Sequence, residues 1–192
     1  MLILTDSCFL HIPKTGGSWI KKAIKMSGIR FEEHLINGDS HGALVHCPVL
    51  EKFKFAFVRN PIDLYRSYWQ YKMGAGWDIK NEIDRVCCSD NFNTFIDNII
   101  ARYPGICSQV FELFVGPEDA EIEYVGKYEN LVDDLIIALT QAGEHFDEYA
   151  IKNCPPQNVS DKTRFPASYT DEQKERIKKT EAKAFERFGY KV

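Results

Sequence analysis

The chain has 192 residues, 44% of them hydrophobic, which suffices for a single domain over 1–192 with a substantial core. Its formal net charge is −4, from 24 Lys and Arg against 28 Asp and Glu, a balance that excludes a coat of positive charge for generic nucleic-acid binding. No apolar run reaches the roughly 18–20 residues of a membrane span, and the first residues lack a basic leader with a signal-type apolar run, so a soluble cytoplasmic protein is expected.

Residues 2–12 read as an apolar strand that runs into the turn Lys14-Thr15-Gly16-Gly17-Ser18, and a helix is predicted over 17–27. A strand, a glycine turn and a helix start together aim several main-chain N–H groups at one place, where the helix dipole adds partial positive charge. Lys14 adds a full charge, Thr15 and Ser18 add hydroxyls, and the paired glycines allow close approach of a phosphate. A Walker-type loop places its lysine after the last glycine; here Lys14 precedes both glycines, and His11 stands where the first glycine would be. An ordinary nucleoside-triphosphate enzyme is therefore disfavoured. Lys21, Lys22 and Lys25 fall on the polar side of the helix, either as a solvated face or as a steering field for an anion.

The second informative stretch is Lys54 to Arg59, a buried strand of aromatic and β-branched residues predicted over 53–59. Asn60 is placed to cap the next helix, Pro61 to open it and Asp63 to favour its dipole, with the helix predicted over 61–73. Arg59 then stands at the carboxyl end of a strand, where open α/β sheets bind ligands, and Ser67 follows on the helix. A guanidinium and a hydroxyl at this spacing can close on one phosphate. Further helices are predicted over 92–103, 130–142 and 170–187 and a strand over 121–128, so strands and helices alternate as in an α/β fold with a central parallel sheet flanked by helices.

Pro13-Lys14-Thr15-Gly16-Gly17-Ser18-Trp19 resembles the 5′-phosphosulfate loop of PAPS-dependent sulfotransferases, and Arg59-Asn60-Pro61-x-Asp63-x-x-x-Ser67 resembles their 3′-phosphate motif. Tyr124 to Leu131, with Tyr128-Glu129-Asn130-Leu131, is similar to a later strand-to-helix step of the family, and Asn158-Val159-Ser160 with Phe188-Gly189-Tyr190 resembles its carbohydrate-type branch. The resemblance implies a three-layer, P-loop-like sulfotransferase fold. It also implies transfer of a sulfuryl group from 3′-phosphoadenosine 5′-phosphosulfate (PAPS) to a hydroxyl or amine of a carbohydrate or small-molecule acceptor, with 3′-phosphoadenosine 5′-phosphate as product and no metal required. Lys14 would stabilise the leaving 5′-phosphate, the loop from Thr15 to Ser18 would hold the phosphosulfate, Trp19 would stack on adenine, and Arg59 with Ser67 would read the 3′-phosphate. Leu64 departs from the arginine many members carry after the aspartate, a contact Arg66 could replace.

A base must take the acceptor proton, and His41 is the first candidate, with His34, His46, Glu32 and Glu33 as alternatives. The loops 28–50, 74–92 and 143–169 are expected to define the acceptor, with Trp77, Phe92 and Tyr103 either lining a pocket or filling the core. Within the last loop, Lys162 or Arg164 is a candidate phosphate contact on a lid. The six cysteines, Cys8, Cys47, Cys87, Cys88, Cys107 and Cys154, lack metal spacing and read as buried thiols, although an even count allows disulfides in an oxidising compartment. The alternatives to a sulfotransferase are an ATP-dependent small-molecule kinase of P-loop type and a non-catalytic nucleotide-binding module. The sequence leaves the oligomeric state open.

Overall fold

The computed structural model of the protein describes residues 1–157 and 163–191. The chain divides into two compact units, Met1–Arg59 with Phe111–Asn158 and Asn60–Val110 with Val159–Val192.

The first unit is built on a five-stranded mixed sheet in the order β3-β1-β2-β4-β5. Its strands are β1 (Leu2–Ile3), β2 (Ser7–Leu10), β3 (Glu32–Glu33), β4 (Phe53–Val58) and β5 (Tyr124–Lys127). The centre is parallel as expected: β2 pairs with β4, Phe9 opposite Phe55, and β4 with β5, Phe57 opposite Gly126. The predicted strand over 2–12 is instead a hairpin. Thr5 and Asp6 turn the chain, Leu4 N–H reaches Ser7 O at 2.8 Å, and β1 lies antiparallel to β2 with Leu2 opposite Phe9. β3 extends this antiparallel edge. An apolar run carries no mark of reversal when the turn residues are only Thr-Asp, which is why the sequence reads as one strand.

Alternation along the strands sorts the core. Phe9, Phe55 and Phe57 point to one face and pack under α1 (Gly17–Met26), α6 (Leu131–Gln141) and α7 (Glu148–Lys152). Cys8, Leu10, Ala56 and Val58, of the opposite parity, are also fully buried, as expected of a parallel sheet. Lys54 is buried within β4 because its ammonium has three partners: Leu50 O at 2.9 Å, Lys52 O at 3.0 Å and Glu123 Oε1 at 3.0 Å.

The second unit is helical: α2 (Pro61–Ala75), α3 (Glu82–Cys87), α4 (Phe92–Arg102), the first turns of α5 (Ile106–Val115), α8 (Asp171–Thr180) and α9 (Ala182–Arg187). Asn60 caps α2 by accepting from Ile62 N–H at 3.0 Å, and Pro61 opens the helix, both as predicted. The single helix expected over 170–187 is broken at Glu181. This fully buried carboxylate accepts from Ser108 N–H at 2.8 Å, Ser108 Oγ at 2.7 Å, Cys107 N–H at 3.2 Å and the Tyr65 hydroxyl, so it serves as the anionic cap of α5. Trp77, Phe92 and Tyr103 belong to the core of this unit, packed around Tyr65, Trp69, Phe95 and Ile99.

All six cysteines are free, five of them buried and Cys88 exposed. Among the described residues, no helix is long and apolar enough to cross a membrane.

Candidate functional site

Three segments of the first unit meet at the start of α1. Lys14 holds a left-handed backbone (φ 64°), and Gly16 follows at φ 95° as the residue before the helix. Gly16 provides no side-chain cap and the first turn contains no acid, so the positive end of α1 is not offset by its own sequence. A Cβ at Gly16 would lie 3.0 Å from Leu131 Cδ2 and 3.1 Å from Tyr128 Cδ2, so glycine is required there both for φ and for space.

Arg59, from the carboxyl end of β4, reaches this turn. Its Nη1 donates to Lys14 O at 3.3 Å, and its guanidinium carbon lies 3.9 Å from the centroid of the Tyr128 ring. Arg59 Nε is buried with no hydrogen-bond partner among the described residues. The loop, the strand-end arginine and the Tyr128-to-Leu131 step are thus brought together, as three motifs far apart in sequence. A loop with a positive helix end, an ammonium and a guanidinium with an unpartnered N–H suits a phosphorylated ligand.

The remaining predicted ligands are distributed less simply. The Thr15 hydroxyl is fully buried and donates to Ile12 O at 2.9 Å, so what Thr15 offers a ligand is its main chain. Ser18 is exposed on the first turn. Trp19, expected to stack on adenine, is 7% exposed within the core and donates its indole N–H to Cys154 O at 3.3 Å. Both faces of the ring are engaged by protein, and the aromatic standing beside the loop is Tyr128. Ser67 lies on α2 in the second unit and is buried. Arg66, there, pairs with Asp63 at 3.0 Å, and Leu64 packs on the core of that unit. Arg164 lies 5.0 Å from the Phe165 ring centroid, whereas Lys162 and Asn158-Val159-Ser160 lie outside the described residues.

On the other side of the helix start is a histidine pair. His41 Nδ1 lies 2.6 Å from Asp39 Oδ1, and its ring centroid lies 4.5 Å from that of His11. His11 was not legible as a site residue, because at the end of an apolar strand it reads as part of the core. Its ring stacks on Phe9 at 5.7 Å and covers Gly17, where a Cβ would lie 1.9 Å from His11 Nε2. Burial, reinforced by the neighbouring His41, pushes His11 down to about 3, so its imidazole is neutral at physiological pH. Burial would raise the Asp39 carboxyl, but hydrogen bonds from the His41 main chain and ring outweigh it and hold the group below the usual carboxylate range. The alternatives are otherwise engaged or remote: Glu33 pairs with Lys21 at 2.5 Å, His46 Nδ1 accepts from Ala43 N–H at 3.3 Å, and Glu32 is exposed on β3.

A cavity of about 410 Å³ opens beside this pair, lined at its inner end by His11, Gly17 and Ser18 and along α1 by Lys21, Lys22 and Lys25. Among the described residues, no three His, Cys, Asp or Glu side chains cluster in a way that would hold a metal ion. Comparison of the sequence with protein-family models returns no match, and comparison with curated proteins likewise returns none.

Proposed function

We propose that the chain is a PAPS-dependent sulfotransferase with the sulfotransferase variant of the P-loop-like α/β fold. The observation that carries the reading is the approach of Arg59 Nη1 to Lys14 O at 3.3 Å, with Tyr128 stacked on the guanidinium. Two motifs that resemble grips for opposite ends of one nucleotide are thereby adjacent, and the third buttresses both. PAPS supplies the sulfuryl group; the protein positions it and neutralises charge.

In this reading the main chain of Thr15 to Ser18 and the positive end of α1 hold the 5′-phosphosulfate, and Lys14 stands beside the bridging oxygen. Arg59, whose Nε–H has no partner in the described chain, turns toward the 3′-phosphate, with Ser67 as its expected companion. Transfer forms the acceptor O–S bond and breaks the S–O bond to the 5′-phosphate, where the electron pair remains next to Lys14. The acceptor proton goes to the His11 and His41 pair. His41 is the member that keeps it, because Asp39 orients that ring and His11, at about 3, stays neutral.

Calorimetry with 3′-phosphoadenosine 5′-phosphate in the absence of magnesium tests the proposal. Binding is expected, with losses of at least about tenfold in Lys14→Ala and Arg59→Ala, the scale of a charge-assisted phosphate contact. Magnesium-dependent ATP binding with no response to the bisphosphate would reverse the conclusion in favour of a kinase.

A further inference from the structure

The cavity beside α1 has a charge pattern that transfer chemistry alone does not require. Lys21, Lys22 and Lys25 recur at i, i+1 and i+4 and line one wall, against Glu33 as the lining carboxylate, in a chain whose net charge is −4. Lys21 is paired with Glu33 at 2.5 Å, but neither Lys22 nor Lys25 forms a salt bridge among the described residues. At about 1.5 Å of rise per residue, the five to eight residues from Gly17 to Lys22 and Lys25 place these ammonium groups roughly 7–12 Å along the helix from the loop. That is beyond the reach of a phosphosulfate seated at the start of the helix. The inner end is formed by His11 and by Ser40, the neighbour of His41, so one cavity joins the proton-accepting pair to a distant cationic wall.

We infer that this cavity is the acceptor site and that the acceptor is an acidic polyhydroxyl compound, of the acidic-saccharide class. Its reacting hydroxyl lies at the His11 end, and its carboxylate or sulfate lies one to two helical turns away on Lys22 and Lys25. The inference rests on the sulfotransferase reading and assigns the substrate class of that site. A rigid cavity with one sign of charge at its far end selects by register as well as by attraction, because a neutral analogue leaves the two ammonium groups without a partner.

The test uses the full-length protein and two probes of equal length: a tetrasaccharide of alternating glucuronate and N-acetylglucosamine, and uncharged chitotetraose. Binding is read by calorimetry at fixed low salt, in the presence and absence of 3′-phosphoadenosine 5′-phosphate. The charged probe is expected to bind and the neutral one to bind at least tenfold more weakly. Lys22→Ala and Lys25→Ala should each weaken the charged probe about three- to tenfold while leaving affinity for the bisphosphate within twofold. Equal binding of both probes, no binding of the charged probe by the parent protein, or unchanged affinity in Lys22→Ala/Lys25→Ala overturns the inference. If the parent protein binds the charged probe but not the bisphosphate, the acidic-ligand site stands and the sulfotransferase reading fails.

Discussion

Gly17→Ala isolates one contact. The backbone of Gly17 is ordinary helix, so alanine is conformationally welcome there and should gain a few tenths to about 1 kcal/mol of helix propensity. The obstacle is the His11 ring, whose Nε2 and Cδ2 would lie 1.9 and 2.0 Å from the new Cβ. An ordinary contact begins near 3.4 Å, so the imidazole must retreat by about 1.5 Å. It cannot do so freely, because Phe9 stacks on one side at 5.7 Å and His41 stands at 4.5 Å. Overpacking of this kind costs about 1–3 kcal/mol, leaving a net destabilisation of about 1–2 kcal/mol after the propensity gain. Urea melts followed by circular dichroism on Gly17→Ala, His11→Ala and the double variant give the coupling. In the His11→Ala background the Gly17→Ala change should become neutral or stabilising by up to about 1 kcal/mol. An equal penalty in both backgrounds would refute the argument, since the cost would then come from the helix start and not from the ring.

The low pKa of His11 makes stability depend on pH with a definite sign. The unfolded chain takes up this proton as pH falls through the ordinary value of 6.5, whereas the folded chain does so only near 3, so stability should fall between those values as pH is lowered. At pH 5 the loss is about 1–2 kcal/mol once partial exposure is allowed for, and His11→Gln should flatten that part of a stability profile measured by urea titration at a series of pH values. Trp19→Phe should cost about 1–2 kcal/mol from lost core volume and the lost indole bond to Cys154, while affinity for 3′-phosphoadenosine 5′-phosphate stays within twofold. A tenfold loss of affinity at unchanged stability would restore Trp19 to the adenine. Glu181→Ala leaves Cys107 N–H, Ser108 N–H, Ser108 Oγ and Tyr65 Oη without their acceptor and should lower stability by about 3 kcal/mol or more in a thermal melt, against a much smaller loss in Glu181→Gln.

The parts of the fold written in local chemistry were legible in the sequence. The β4 to α2 junction is announced by an aromatic strand, an asparagine cap and a proline, and it is found within two residues of the expected bounds. Elements defined by distant partners were not. α3 and α5 fell in segments read as loop or left unassigned, and the break at Glu181 depends on residues more than 70 positions away. The site divides in the same way. Lys14, the glycine pair and Arg59 stand out through spacing and turn chemistry, whereas His11 acquires its meaning only when Gly17 and His41 are folded against it. A histidine after four apolar strand residues gives the reader no signal of that.

The two glycines, which first drew attention as a phosphate cradle, turn out to be weaker evidence than the residues around them. Gly16 is explained by its positive φ and by Leu131 and Tyr128, and Gly17 by the His11 ring, so packing alone accounts for both. What packing does not account for is the cost left in place beside them. Lys14 carries a side chain in the left-handed region, a conformation that costs about 1 kcal/mol or more outside glycine. Arg59 keeps a buried Nε–H without a partner, a deficit of about 1–3 kcal/mol. These two unfavourable features occur in adjoining residues, joined through Lys14 O. A fold selected for stability would remove either by a single substitution, glycine at 14 or a shorter side chain at 59. A doubly phosphorylated ligand is what makes both worth keeping, since it meets the ammonium that the strained backbone presents and the N–H that the protein leaves unpaired.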